Sequence, residues 1–332
     1  MTLDALFANR NQVPLEDYMA WNNRQFYQAS DCLGAAGHFI TSPELTPLFG
    51  YALAEWVIQQ MSDFSDQIIT LVELGPGRGL LMRDVLTALT KRGYGKNLKI
   101  ALIEQSSGLR DQQKQNLQDF HLSISWFSQI EAINVSGPVL ILANEFFDAL
   151  PIQQWRYQKG IWHKRWIAKS DDGLRVAWQP EKEQPEYEPI EGAVYEVCPV
   201  GYTFFKHCLD LLKKQGGALV MIDYGAWQGD GDTLQAIYHH QQVDPFTKPG
   251  AVDLTAHVRF GDYAALTPTK WACHYNTQGD FLRRLGIEAL FWGARHQNPA
   301  HQAEIHRLRQ RLIGAGVEDM GELFKVLEIK AQ

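Results

Sequence analysis

Five short apolar runs recur along the chain, Ile68 to Leu74, Leu98 to Ile103, Leu122 to Trp126, Pro138 to Ala143 and Ala218 to Asp223, with segments of helical periodicity between them. Runs that are apolar rather than alternating predict strands covered on both faces, and their alternation with helices predicts a parallel sheet. Ahead of them, Leu15 to Gln28 and Glu44 to Met61 read as helices, the second with Leu48, Leu53, Trp56 and Val57 on one side, separated by a loop over Gly34 to Pro43. Ile152 to Ala168 alternates large apolar residues around Lys159-Gly160 and predicts a β-hairpin, while the acidic, proline-containing stretch Glu181 to Glu191 predicts an exposed loop. Helix Tyr202 to Lys214 leads into the fifth strand, Phe281 to Gly286 and Ala300 to Ile313 read as helices, and Leu323 to Lys330 as a last strand. The organisation expected is an N-terminal helical extension (1–65), the first half of an α/β core (66–150), an inserted β-hairpin lobe (151–200) and the second half of the core with accessory helices (201–332).

The first strand enters Leu71-Val72-Glu73-Leu74-Gly75-Pro76-Gly77-Arg78-Gly79-Leu80, in which an acid ends the strand, glycine takes every second position and a helix is expected from Leu80 to about Arg92. Glycine lets the chain turn sharply and lets a ligand pack against the main chain. Glu73 and the free N–H groups of the helix start suit a ligand carrying both an ammonium and a carboxylate, as methionine's amino-acid end does. The pattern predicts the cofactor loop of an S-adenosylmethionine-dependent methyltransferase, with Glu73, Gly75, Pro76, Gly77 and Gly79 as binding residues. A dinucleotide site would place its third glycine one position later, where Leu80 stands. Glu104, closing the second strand, is positioned to accept both ribose hydroxyls, a role that both cofactor classes use.

Composition narrows the partner. The 332 residues are 45% hydrophobic and 21% charged, as in globular enzymes, and a formal net charge of −7 argues against nucleic acid as the main partner. Cys32, Cys198, Cys208 and Cys273 form no C-x-x-C, so neither a zinc knuckle nor a disulfide framework is expected. His239-His240 and His257 lack ligand spacing, and no metal is expected. No apolar run reaches the length of a membrane span, and Met1 to Pro14 has neither a signal core nor the look of a transit peptide; the expectation is a cytoplasmic protein.

The fourth strand runs into Asn144-Glu145-Phe146-Phe147-Asp148-Ala149-Leu150-Pro151. Ligands of open α/β sheets bind beyond the carboxyl ends of the strands, which makes Glu145 and Asp148 candidates for holding a methyl acceptor. A cationic acceptor beside a sulfonium is repelled by about 4 kcal/mol at ~4 Å with an effective dielectric near ~20, and paired carboxylates could offset that while orienting a guanidinium. Glu145 and Asp148 also suit capping of the next turn, Asp148 the more so. Asp253 could cap a helix beginning at Leu254 or bind substrate, and Trp126 could lie near adenine or pack in the core. The hairpin with Trp155, Trp162 and Trp166 reads first as core and lid, and its position beside the Asn144 loop also makes it the natural contact surface for a protein acceptor.

With these residues read, the chain resembles the MidA-like family of class I S-adenosylmethionine-dependent methyltransferases, the family of the protein arginine methyltransferase that assists assembly of mitochondrial respiratory complex I. The resemblance rests on Phe39 to Glu44, the glycine loop, Asn144 to Pro151, Glu196-Val197-Cys198-Pro199, Ile222 to Gly225, Thr233 to Ala236, Asp253 to Val258 and Thr277 to Leu282. It implies a Rossmann-like α/β fold with the N-terminal extension and inserted lobe, S-adenosylmethionine held by the glycine loop and Glu104, and Asn144 near the methionine end. It further implies transfer to a protein arginine, in the characterised branch on a complex I core subunit; a homodimer stays open. Two positions depart from the family: His38 and Arg259 stand where it usually has Asp. The runner-up readings are a small-molecule O- or N-methyltransferase, with His257 as the candidate base, and a non-catalytic assembly chaperone that keeps the fold.

Overall fold

The computed structural model describes residues 2–8, 10–28, 41–64, 67–229, 231–316 and 319–331. His38, Cys32, the Phe39-Ile40 part of the first family run and most of the Gly34 to Pro43 loop lie outside the described residues. The chain divides into two units: Met1–Phe39 with Phe147–Phe204 and Ala226–Gly261, and Ile40–Phe146 with Phe205–Gly225 and Asp262–Gln332.

The second of these holds a seven-strand path in the order Ala272–Thr277, Phe324–Lys330, Gly217–Ala226, Val139–Asn144, Ile69–Leu74, Leu98–Ile103, Ser123–Phe127. The five strands expected from the apolar runs pair in parallel, and Phe324–Lys330 is antiparallel to both of its neighbours. Ile69–Leu74 is buried at every position, which is why it reads as one uninterrupted apolar stretch. It lies between its sequence successor and the fourth strand, with Leu74 opposite Ile103 on one side and Ala143 on the other. Strand order reverses there, and the crevice beyond the carboxyl ends of such a pair is where open sheets bind ligands.

Two helices, Pro47–Met61 and Leu80–Lys91, pack closely because Gly50 faces Asp84; a Cβ on Gly50 would lie 2.5 Å from the Asp84 Cβ. The helix expected over Glu44 to Met61 is divided, since Thr46 is extended before Pro47, as a residue ahead of proline prefers, and its hydroxyl caps Leu48 N–H at 3.3 Å. The helix expected at Phe281 starts earlier, at Gln278, capped by Thr277, and a further helix follows over Ile287–Gln297.

In the other unit, the helix Leu15–Gln28 lies where expected, and Gln153–Gln158 pairs with Ile161–Ser170 across the Lys159-Gly160 turn. Gly173–Pro180, Val194–Val197 and Gln12–Pro14 extend that sheet. A separate three-strand sheet joins Gln235–Tyr238 to Gln241–Val243 and Asp253–Thr255. The reading of Asp253 as a helix cap is therefore corrected: Leu254 and Thr255 are buried in a strand paired with Gln235–Ile237. Leu15, Tyr18, Met19, Ile167, Val252 and Leu254 belong to one core within this unit. No helix among the described residues is long and apolar enough to cross a membrane.

Candidate active site

All three loop glycines adopt left-handed backbone, with φ of 58° at Gly75, 51° at Gly77 and 80° at Gly79, conformations that side chains with a Cβ rarely take. Close approaches add a second reason. A Cβ on Gly75 would sit 2.7 Å from Phe146 Cδ2, and one on Gly79 would sit 3.1 Å from Gln113 Cγ. Gly79 N–H donates to the Pro76 carbonyl at 2.7 Å, closing the turn, and Gly79 begins the Leu80–Lys91 helix without a side-chain cap. Met82 N–H in that first turn is taken by the Glu73 carboxyl, and a helix start is where N–H groups meet an anionic ligand group.

Glu73 lies beneath the loop, only 3% exposed, with its carboxyl accepting from Met82 N–H. Burial first, and the charges of Asp84 and Glu104 next, push its pKa up to about 8. Its Oε2 has no hydrogen-bond partner among the described residues.

Glu104 closes Leu98–Ile103 and is held at both oxygens: Oε1 accepts from Ser106 N–H at 2.8 Å, and Gln113 Nε2 points to Oε2 at 3.4 Å. Arg110 donates to the Glu104 carbonyl at 2.8 Å through Nε. Burial raises the carboxyl pKa despite those donors. Trp126 at the tip of the third strand donates its indole N–H to Gln113 Oε1 at 2.9 Å, so it is neither free nor simply packed in the core.

At the end of the fourth strand, Asn144 Nδ2 and Ser42 N–H each donate to Glu145 Oε1 at 3.1 Å. Glu145 itself takes φ of 50°, a conformation that a side chain with a Cβ adopts only under constraint, and its N–H donates to the Ile222 carbonyl at 2.9 Å. Asn144 Oδ1 is buried without a partner among the described residues. A second residue of the Phe39 to Glu44 run reaches the glycine loop: Glu44 pairs with Arg78 at 3.7 Å.

Gly75, Gly77, Gly79, Glu73, Glu104, Asn144 and Glu145 thus share one unit, while Asp148 and His257 belong to the other. There Asp148 is buried and its carbonyl accepts from Ala256 N–H at 3.0 Å. Asp253 accepts from the Tyr27 hydroxyl at 2.8 Å, and burial together with the charge of Asp148 pushes its pKa up to about 7. His257 N–H donates to Thr233 Oγ1 at 2.9 Å; the hydroxyl of Thr233 donates to Glu196, which also accepts from Gln154 at 2.6 Å. Burial lowers the His257 pKa. The motif residues Glu196, Thr233 and His257 are therefore joined by one polar network. Arg259, the departure from the family pattern, lies over the Tyr187 ring at 4.7 Å and donates to the Gly229 carbonyl.

The residues missed by sequence reasoning are polar and buried. Gln113 joins the glycine loop to Glu104, and Asn23 donates to the Ala149 and Leu254 carbonyls at 2.9 and 2.7 Å. Their only sequence signal is an uncharged amide on the apolar side of a helix.

Comparison with known proteins decides the family. The family described as "Putative S-adenosyl-L-methionine-dependent methyltransferase" matches residues 52–276. The chain belongs to that family. Among its relatives, the mitochondrial protein arginine methyltransferase NDUFAF7 homolog of Caenorhabditis elegans is 32% identical over 80% of this chain and 68% of its own length. The Drosophila melanogaster homolog is 29% identical over 98% of this chain and 83% of its own. A superfamily member from Burkholderia thailandensis, solved bound to S-adenosyl-homocysteine, superposes with a TM-score of 0.83 at 26% identity, covering 99% of this chain and 92% of the other. The protein is a Rossmann-like, S-adenosylmethionine-dependent methyltransferase of the MidA-like family.

The residues of the site fit the cofactor. The loop turns through left-handed backbone at Gly75, Gly77 and Gly79, and Asn144 Oδ1 and Glu73 Oε2 are buried polar atoms with no hydrogen-bond partner among the described residues. One expectation is corrected. The relatives are named mitochondrial, which overturns the cytoplasmic location; composition and the look of the first residues do not determine compartment.

Proposed function

We propose that this methyltransferase acts on arginine in a protein, with the complex I core subunit implied by the family resemblance as the specific acceptor. Relatives named protein arginine methyltransferase, at about 30% identity over most of the chain, support the acceptor class. The observation that carries the reading is the turn Asn144-Glu145-Phe146: its Phe146 ring occupies the space beside Gly75, and its carboxylate is fixed by Asn144 and Ser42 at the switch point of the sheet.

Bound S-adenosylmethionine supplies an electrophilic methyl carbon on a sulfonium. Gly75, Pro76, Gly77 and Gly79 give it main-chain contact, Glu104 accepts its ribose hydroxyls, and Asn144 and Glu73 serve the methionine end. Glu145 holds the acceptor guanidinium by charge-assisted hydrogen bonds. The methyl carbon would form its new bond to the guanidinium nitrogen as its bond to sulfur breaks, releasing S-adenosylhomocysteine; because arginine and its methylated form each carry one positive charge at working pH, no strong base has to act before attack and one N–H proton passes to water after it. What these residues contribute is alignment and negative charge.

The test is incubation of the protein with labelled S-adenosylmethionine and candidate acceptor proteins, followed by mass spectrometry of the labelled residue. Label on an arginine nitrogen is expected. Label on a small metabolite or on an oxygen would replace this reading by the small-molecule enzyme, for which His257, whose pKa burial lowers, is the candidate base. Cofactor binding without transfer to any acceptor would favour the assembly chaperone.

A further inference from the structure

Gln113 touches three parts of the cofactor region. It lies in the Ser107–Leu117 helix with no exposed surface. Its Nε2 donates to the Gly77 carbonyl at 2.7 Å and faces Glu104 Oε2 at 3.4 Å, while its Oε1 accepts from Trp126 Nε1 at 2.9 Å. An indole N–H only donates and a carbonyl only accepts, so these partners allow the amide one orientation. The Gly79 backbone also rests on this residue, close enough that an added Cβ would lie 3.3 Å from the Gln113 Cα.

We propose that Gln113 is a positioning residue for cofactor ribose recognition, orienting the Glu104 carboxylate and the Gly77 carbonyl through one buried amide that Trp126 holds in place. The proposal rests on the assignment of Glu104 to the ribose. Ser106 N–H anchors one Glu104 oxygen, and Gln113 faces the other. Without the amide, a carboxylate at a strand tip can rotate about its side-chain bonds and lose the geometry that two adjacent hydroxyls require. Aligning both acceptor lone pairs is what distinguishes a ribose from a deoxyribose.

The experiment compares the affinities of S-adenosylhomocysteine and its 2′-deoxy analogue by isothermal titration to the full chain. Loss of one hydrogen bond to a charged group corresponds to roughly 10- to 150-fold discrimination in the wild type. Gln113→Met, which keeps the volume and removes the amide, should bind S-adenosylhomocysteine about tenfold more weakly and reduce that discrimination to about threefold or less. Trp126→Phe, which removes only the donor that orients the amide, should shift the ratio in the same direction and decides the matter if Gln113→Met does not fold. A purely structural role would weaken both ligands equally and keep the ratio. Retention of the wild-type ratio by the folded Gln113 and Trp126 variants, with Glu104→Ala abolishing it, overturns the positioning role alone. Full discrimination by Glu104→Ala overturns the ribose assignment itself, and the inference falls with it.

Discussion

At the residue scale, the acids of the core carry the sharpest consequences. Glu73 has a folded pKa raised to about 8 from an ordinary 4.5, so between those values the folded state holds a proton that the unfolded state has released. Stability must then fall as pH rises through that window, the reverse of the behaviour of a salt-bridged carboxylate. Glu73→Gln removes the titration. The drop in melting temperature between about pH 5.5 and pH 8.5 should be smaller in this variant than in the wild type; an equal drop would mean that Glu73 is not the group responsible. Glu104 is a different case: Ser106 N–H donates to one of its oxygens and Gln113 faces the other, and it is the residue proposed above to accept the ribose hydroxyls. Glu104→Ala should weaken S-adenosylhomocysteine binding by about 2–3 kcal/mol, roughly 30- to 150-fold, measured by isothermal titration, and a loss under about threefold would place the ribose elsewhere.

At the scale of elements, the contact between Pro47–Met61 and Leu80–Lys91 depends on one missing Cβ. Gly50→Ala would set a carbon 2.5 Å from the Asp84 Cβ, an approach that only a shift of the helices can relieve. The expected cost is about 1–3 kcal/mol in denaturant unfolding, and an unchanged midpoint would show that the two helices are not in firm contact. The buried parallel strands were legible because burial on both faces leaves an unbroken apolar run, and Leu98–Ile103 matches its expected bounds. The first hairpin was legible because Lys159-Gly160 carries a glycine for a turn with two positive φ values. His239-His240 makes a similar turn, with φ of 47° and 61°, using residues that give no such signal, and the small sheet around it went unread. Ala272–Thr277 was missed for another reason: it is an edge strand with no buried position, so no hydrophobic pattern marks it. In the site, the glycines and Glu104 follow from chain-local chemistry, whereas Gln113 matters only through partners brought to it by folding.

At the scale of the whole molecule, the family relation gives the cofactor and the reaction class, and the acceptor is the point on which the proposal stands or falls. The cofactor has its own check. Titrated S-adenosylhomocysteine should raise the melting temperature in proportion to ln(1 + [L]/Kd), whereas NAD should leave it unchanged; the opposite pattern would contradict the reading of the glycine spacing. The acceptor is tested most directly by single-turnover transfer of labelled methyl to a protein arginine at saturating cofactor, comparing the wild type with Glu145→Gln, which keeps the shape of the side chain and removes its charge. The wild type should label arginine, and the variant should bind S-adenosylmethionine within a few fold of the wild type yet transfer about a hundredfold more slowly, the scale of losing one preorganised electrostatic contact. Undiminished transfer by Glu145→Gln, or wild-type label on any group other than arginine, would contradict the account.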